Sequence, residues 1–276
     1  ENMLPFGVTV VDSLNDAQQA ITRLLGNDEE RNKSAHLGYR HVMNNHTYSH
    51  RVGDMLDKLG IQSEIPLNNP LVSLVTCTNR PDMISNIMHN FNHQTWKNKE
   101  IIIVIDCGDQ DYREVKKVLG NQGNITLHKV QIGLSLGHCF NKGMELSKGD
   151  YIAKFDDDDL YGPNYIEDQL LPFKYTDADI VGKLCTFMYH EKSERTYLRF
   201  PNNRHKFGDL VLGPTFFFKR KVADNIKMRD LSRSEDTNFL KDSIEAGYKI
   251  YATDPYNFVY NRKKVEGFHT WDATDE

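Results

Sequence analysis

Five mostly apolar residues, Tyr151-Ile152-Ala153-Lys154-Phe155, run directly into four aspartates at positions 156–159. No other stretch narrows the possible folds as much. An apolar run of this length reads as a short buried strand. Four adjacent carboxylates repel one another, and a chain tolerates them only where water or a cation screens them. They stand at the C-terminal end of the strand, where open α/β sheets place their ligand crevices. On an extended backbone Asp156 and Asp158 would point the same way. Hard carboxylate oxygens select a hard cation such as Mg²⁺ or Mn²⁺. The stretch therefore points to a divalent-metal site that holds a phosphate-bearing substrate. Two blander readings compete with it. A solvated loop is the usual fate of an acidic run, but here a strand leads in and Leu160-Tyr161-Gly162-Pro163 turns the chain away. A calcium loop counted from Asp156 would find Glu167 at its twelfth position. Its fifth and sixth positions are Leu160 and Tyr161, where such a loop needs an acid or Asn and then Gly.

The sequence before this stretch alternates in character. Residues 71–77 read as a strand, and Pro81 opens a helix carrying Ile84, Ile87, Met88 and Phe91. Residues 100–105 form a strand that ends at Asp106, 111–119 a helix, 125–130 a strand and 136–146 a helix. This order predicts an α/β fold with a largely parallel sheet covered on both faces. Right-handed crossovers then gather the strand C-termini on one edge. The polar clusters at 76–80, 106–111 and 156–159 are expected to converge there. Beyond Phe173 the pattern is less regular. Strands are expected over 180–188, 197–200 and 214–218, and a helix over 234–246. Extended segments are expected at Tyr251 and over 258–260.

The first sixty residues are different. Residues 6–12 read as a short strand. Asp12 or Ser13 can cap a helix whose face carries Ala17, Ala20, Ile21, Leu24 and Leu25. A second helical pattern covers about 29–45, and a third carries Tyr48, Val52, Met55, Leu56 and Leu59 before Gly60 stops it. His46 and His50 lie four apart, a spacing that can share zinc, but no HExxH pattern and no third ligand accompany them. An ordinary helix surface is the better reading. Residues 61–70 form a polar, proline-bearing linker. The boundary there divides a mainly helical segment, 1–66, from an α/β domain, 67–276.

Composition excludes several classes. Hydrophobic residues make up 39% and charged residues 26%, which suits a soluble globular chain. A net charge of −5 gives no basic field for a nucleic-acid partner. The aliphatic run at 101–105 is far too short to span a bilayer, and no signal segment opens the chain. The four cysteines form no CxxC pair, and free buried thiols in a reducing cytoplasm are expected. The start at Glu1, without Met, suggests a piece of a longer multidomain polypeptide.

Residues 70–271 resemble a family 2 glycosyltransferase of the GT-A fold. The likeness rests on Val72-Ser73-Leu74-Val75-Thr76-Cys77-Thr78-Asn79-Arg80 and on Glu100-Ile101-Ile102-Ile103-Val104-Ile105-Asp106. It continues in Gly133-Leu134-Ser135, Asn141-Lys142-Gly143, Gly149-Asp150 leading into the aspartates, and Glu235-Asp236. These span about three-quarters of the chain in the family's order. Residues 6–60 resemble, through His46-Thr47-Tyr48-Ser49-His50-Arg51, the closing helices of a CgeB-like GT-B glycosyltransferase domain.

The resemblance implies a Rossmann-like sheet with helices on both faces. It implies an inverting, Mn²⁺- or Mg²⁺-dependent transfer from a nucleotide-sugar donor, most often UDP-linked, to a hydroxyl acceptor. Cell-surface polysaccharide or glycoconjugate synthesis is the setting it suggests. By the same likeness Thr76, Asn79 and Arg80 would touch base, ribose or diphosphate, and Asp106 the uracil imide. The family often has paired acids at that strand end, whereas Cys107 follows here. Asp156 or Asp157 would reach the ribose. Asp158 would bind the metal, with His269 on metal or diphosphate. Asp236 would be the catalytic base. Arg262, Glu235 and Trp271 would serve the diphosphate or the acceptor, and Gly213-Pro214-Thr215 would shape the sugar or acceptor pocket. Two other functions are less suited. A sugar-phosphate nucleotidyltransferase carries a Gly-rich basic loop where Thr78-Asn79-Arg80-Pro81 stands. A non-catalytic binding module would not need both Asp158 and Asp236.

Overall fold

The structure, a computed structural model, describes residues 7–61 and 69–264. The chain falls into two compact units, Glu1–Asn68 and Asn69–Glu276. Among its described residues the first contains three helices: α1 (Leu14–Gly26), α2 (Asp28–Asn45) and α3 (Tyr48–Lys58). Their ends are set by polar side chains. Ser13 Oγ accepts from the Asp16 amide at 3.1 Å, and Asn27 Oδ1 accepts from the Glu30 amide at 3.0 Å. The strand expected at 6–12 does not form over residues 7–12. A strand is held by a neighbour's ladder, and this unit offers only helices among its described residues. His46 does not share a helix face with His50. It closes α2 with its Nε2 3.0 Å from that of His41, while His50 Nδ1 accepts from the Thr47 amide at 3.3 Å and caps α3.

The second unit opens with β1 (Val72–Thr78), α4 (Ile84–His93), β2 (Lys99–Ile105), α5 (Asp109–Leu119), β3 (Ile125–Lys129), α6 (Leu136–Leu146) and β4 (Tyr151–Lys154). It continues with β5 (Leu160–Tyr161), α7 (Tyr165–Leu170), β6 (Ile180–Gly182), β7 (Thr186–His190), β8 (Arg195–Arg199) and β9 (Lys206–Phe207). It ends with β10 (Phe217–Lys219), α8 (Arg220–Asn225), α9 (Glu235–Glu245), β11 (Ile250–Ala252) and β12 (Phe258–Arg262).

The main sheet has eight strands in the order β3-β2-β1-β4-β10-β6-β11-β9. The first four are mutually parallel. They are apolar on both faces because helices cover both. Along β2, Ile101, Ile103 and Ile105 share a cluster with Ile84, Ile87 and Phe91 of α4 and Val115 and Leu119 of α5. The alternate residues Ile102 and Val104 pack with Cys139 of α6. Each such side chain contributes about 1.5–3 kcal/mol by leaving water. Gly143 lets α6 lie close on β1, since a Cβ there would overlap the Val75 side chain. All four cysteines are free. No helix among the described residues is long and apolar enough to cross a membrane.

Two strands differ from expectation. The run 180–188 is two strands, β6 in the main sheet and β7 in a second, four-stranded sheet ordered β5-β12-β7-β8. Lys183 makes the break. Its amide donates to Thr215 Oγ1 at 2.8 Å, and its buried Nζ donates to the Asp254 carboxylate at 3.1 Å and the Asp254 carbonyl at 2.9 Å. Backbone committed to that turn cannot continue a ladder. The strand expected from 214 begins at Phe217, because Pro214 lacks a ladder donor and Gly213–Thr215 form a 3₁₀ turn.

Candidate active site

The parallel order of β1, β2 and β4 brings their C-terminal ends together, and the three polar clusters meet. The Asp106 amide donates to the Thr78 carbonyl at 2.9 Å, joining the ends of β2 and β1. Asp106 Oδ2 accepts from the Gly133 amide at 3.0 Å. From β1, Thr78 Oγ1 donates to Asp157 Oδ2 at 2.5 Å. Arg80 grips the same carboxylate with Nε at 3.0 Å and through a terminal nitrogen, a two-pronged pairing of the strong kind. Its terminal nitrogen also stands 3.2 Å from Asp158 Oδ2.

The four aspartates divide into an inner and an outer pair. Asp157 and Asp159 are 3% and 1% exposed. Asp159 Oδ1 accepts from the Asn261 amide at 2.9 Å. Asp156 and Asp158 keep solvent-facing surface, at 33% and 12% of their side chains. The backbone bends over 157–159, yet burial alternates along it, with Asp157 and Asp159 turned in and Asp156 and Asp158 turned out. Asn86 Nδ2 draws in the carbonyls of Asp157 and Asp159 at 2.6 and 3.2 Å, and Asn90 Nδ2 holds that of Asp159 at 2.9 Å. Protein donors hold the Asp157 carboxylate, whereas Asp159 keeps Oδ2 buried without a hydrogen-bond partner among the described residues.

Charge is nevertheless crowded. Burial, reinforced by Asp156 and Asp157, pushes the Asp158 carboxyl up to about 6 against the pull of Arg80. Burial and the charges of Asp158 and Asp156 also raise Asp159. Lys154, buried on β4, stands 2.5 Å from Asp156 Oδ1. Burial opposes its charge, but Asp156, and beyond it Glu235 and Asp236, hold its pKa above the ordinary lysine value. Lys154 is thus the electrostatic bridge between the β4 acids and those of α9.

The α9 acids are placed by a strained turn. Ser234 sits at φ +61°, a left-handed conformation uncommon for a residue other than glycine. Asp236 Oδ1 accepts from the Thr237 amide at 2.7 Å. Gly213 lies so close that a Cβ there would overlap the Asp236 carboxylate. Glu235 is buried, and that burial raises its pKa against the pull of Lys154. The segment leading to α9 is pinned to α6, since Asn141 exchanges hydrogen bonds of 2.8 and 2.9 Å with the backbone of Met228. This anchoring accounts for Asn141, as the close approach to Val75 accounts for Gly143.

Tyr161 joins the two groups of acids. Its hydroxyl accepts from the Asp156 amide at 2.9 Å and donates to the Pro214 carbonyl at 2.7 Å, next to the Gly213 that seats Asp236. Its ring stacks on Phe155 with centroids 3.8 Å apart and planes 9° from parallel. Tyr161→Phe keeps the ring and removes the link. We expect a loss of about 1–3 kcal/mol from the two backbone groups left unpaired. We also expect transfer to fall at least about tenfold through misplacement, with nucleotide affinity unchanged. Steady-state kinetics beside thermal unfolding check this. Wild-type turnover would show that the hydroxyl positions nothing.

The remaining expected residues are placed as follows. Thr76 is 1% exposed inside β1, so its side chain is withdrawn from the rim. Asn79 is exposed at the rim. Asp157 is buried and bonded to Thr78 and Arg80. Arg262 lies on β12, its carbonyl accepting from the Glu191 amide at 3.0 Å. His269 and Trp271 lie outside the described residues. Sequence reading missed Lys154, Tyr161 and Thr78 as parts of the site. A lone lysine in an apolar strand, two residues before an acid, was the available signal for Lys154.

A mostly parallel sheet with acids gathered at its strand ends defines the class: this is a GT-A-type glycosyltransferase fold. Solved structures agree. S. aureus TarS 1–349 in complex with UDP-GlcNAc superposes with a TM-score of 0.56 at 16% identity, over 71% of this chain and 59% of that one. The mannosyltransferase PcManGT of Pyrobaculum calidifontis, in complex with GDP-Man and Mn²⁺, gives 0.54 at 14% identity, over 74% and 59%. Among curated relatives, an uncharacterized glycosyltransferase of Methanocaldococcus jannaschii is 27% identical over 70% of this chain and 71% of its own length. A glucosyl-dolichyl phosphate glucuronosyltransferase of Haloferax volcanii is 30% identical over 35% of this chain and 32% of its own. The chain therefore spans about a third of that second relative and about three-fifths of the two solved structures. Residues 73–266 match the family described as Glycosyl transferase family 2, and the chain belongs to it. Residues 6–57 match a second family, described as Glycosyl transferase-like.

Proposed function

We propose that this chain is an inverting, divalent-metal-dependent glycosyltransferase that moves a sugar from a UDP-linked donor to a hydroxyl acceptor in cell-surface polysaccharide or glycoconjugate synthesis. The observation that carries the reading is the link from Asp156 through Tyr161 and Pro214 to Gly213, against which the Asp236 carboxylate sits. It supports one cleft with a leaving-group half and a base half.

Asp236 would take the proton from the acceptor hydroxyl as its oxygen attacks the anomeric carbon from the far side. That geometry inverts the configuration. Asn79 and Asp106, at the ends of β1 and β2, would hold ribose and base. Arg80 would act mainly by fixing Asp157 and balancing Asp158. The donor set suits a hard cation: Asp156 and Asp158 offer oxygen ligands with exposed surface, and burial, with Asp156 and Asp157 beside it, disfavours an uncompensated charge on Asp158. Asp158, with Asp156, would hold Mn²⁺ or Mg²⁺. The bound ion would supply Lewis-acid neutralisation of the departing diphosphate. The match over residues 6–57 supports reading the helical unit as part of a second glycosyltransferase-like module.

Thermal unfolding with UDP or GDP, each with Mn²⁺ or with EDTA, tests the donor half. A ligand that binds only the folded state raises Tm by mass action. We expect UDP with Mn²⁺ to raise Tm by several degrees and EDTA to abolish the rise. Donor hydrolysis indifferent to the chelator, or no response to either nucleotide, would overturn the reading.

A further inference from the structure

The chain that links the two sheets carries a surface that the transfer chemistry leaves unused. β8 ends the second sheet and β9 ends the main one, and residues 195–210 run along both edges. Within them Tyr197, Leu198, Phe200, Phe207 and Leu210 are between 42% and 48% exposed. The same stretch holds four cations, Arg195, Arg199, Arg204 and Lys206, and one acid, Asp209, in a chain whose net charge is −5. Cations on an edge strand are ordinary protection against pairing with another chain. Large apolar side chains set among them are not, because each one left in water forgoes the gain of burial.

The backbone holds this surface out. Phe200 sits at φ +50° and His205 at φ +52°. That left-handed conformation is an outlier for a bulky residue such as Phe. The turn between them is anchored: the Asn203 amide donates to the Phe200 carbonyl at 2.9 Å, and the Asn203 carbonyl accepts from the Cys185 amide at 3.1 Å. The Arg199 guanidinium lies over the Phe200 ring, 5.1 Å from its centroid. An aromatic ring beside a cationic head suits a boundary between water and hydrocarbon. Tyr197 and Leu198 are neighbours on β8, so they point to opposite faces of the sheet, and both are exposed. A rigid protein partner would cover one face. A fluid phase receives an edge from both faces at once, and the cations along this edge match anionic headgroups.

We propose that the edge formed by residues 195–210 docks the protein on an anionic membrane surface. Its aromatic and aliphatic side chains enter the headgroup boundary, and Arg195, Arg204 and Lys206 meet acidic headgroups. In the main sheet β9 lies on the other side of β4 from β1 and β2, which carry the proposed donor half. A membrane-borne acceptor therefore reaches the cleft from the side opposite the nucleotide. That last step rests on the glycosyltransferase reading above; the docking does not.

The test is flotation of the full chain with vesicles of phosphatidylcholine alone and with vesicles of about two parts phosphatidylcholine to one of phosphatidylserine. At low salt, binding to the anionic vesicles is expected to exceed binding to the neutral ones by at least about tenfold, since each basic residue near the surface is worth about fivefold. Raising the salt should weaken it. Arg204→Glu combined with Lys206→Glu should erase the preference. Phe200→Gly should weaken binding to the anionic vesicles at least about fivefold. Its Tm should hold or rise, because glycine adopts φ +50° without strain. Equal binding to the two kinds of vesicle, or binding to neither, overturns the proposal. So does a doubly reversed variant that keeps the wild-type preference, or a Phe200→Gly variant that loses Tm, which would make Phe200 a packing residue. If the wild type does not bind UDP, the donor reading fails, while the vesicles still decide this surface.

Discussion

Asp236→Asn is expected to lower sugar transfer by about 10²–10⁴-fold, the usual worth of a positioned general base. Asparagine has the same shape. Its carbonyl oxygen can still accept from the Thr237 amide, the bond that Asp236 Oδ1 makes at 2.7 Å. Its amide also fits the space that Gly213 leaves. What disappears is the proton acceptor. The carboxylate's contribution to the field around Lys154 disappears too, but Asp156 is the larger influence there and remains. Nucleotide affinity should therefore stay within about twofold of wild type while turnover collapses, the pattern of an interaction used only in the transition state. Initial rates of UDP release, with and without acceptor, and UDP titration of the same preparation give the comparison. Transfer within threefold of wild type would remove Asp236 from the base role. Glu235→Gln separates the neighbours, since Glu235 is buried and its loss should appear first as reduced stability.

The layered half of this fold was legible because its information is local. The helix expected over 136–146 is α6, Leu136–Leu146, and that over 111–119 gains one further residue pair at its start, Asp109–Leu119. Apolar strands buried on both faces write themselves as continuous runs. The region after Phe173 was harder because its breaks are made by distant partners. Lys183 divides an apparently single strand only because Thr215, 32 residues away, takes its amide. The site shows the same division. That three polar clusters share an edge follows from strand order. Which aspartate turns inward does not, because it depends on Arg80, 77 residues from Asp157, and on Asn86 and Asn90. Tyr161 follows the acids in sequence without any pattern that marks it, and its function depends on where Pro214 arrives.

Asp158→Asn is expected to act in opposite directions on activity and on stability. In the metal-free protein, a carboxyl raised to about 6 from an ordinary value near 3.9 is an ionised group that the fold disfavours. That rise, already net of the Arg80 pull, corresponds to roughly 3 kcal/mol at neutral pH, and a neutral amide should recover up to about that much. The sign follows from linkage. Because the folded-state pKa lies above the unfolded one, the penalty is fully present above about pH 6 and fades as pH falls toward the unfolded value near 4. Urea unfolding in EDTA should therefore find the variant more stable than wild type at pH 7.5, with the difference reduced to about a third at pH 4.5. Transfer should meanwhile fall by at least about a hundredfold, and the Tm rise on adding UDP with Mn²⁺ should be lost, because a neutral amide is a poor substitute for a carboxylate ligand. A site kept at a cost to the fold is what function at strained positions produces. A variant that is less stable at pH 7.5, or that retains the Mn²⁺-dependent rise, would make Asp158 a structural partner of Arg80 and move the metal to Asp156.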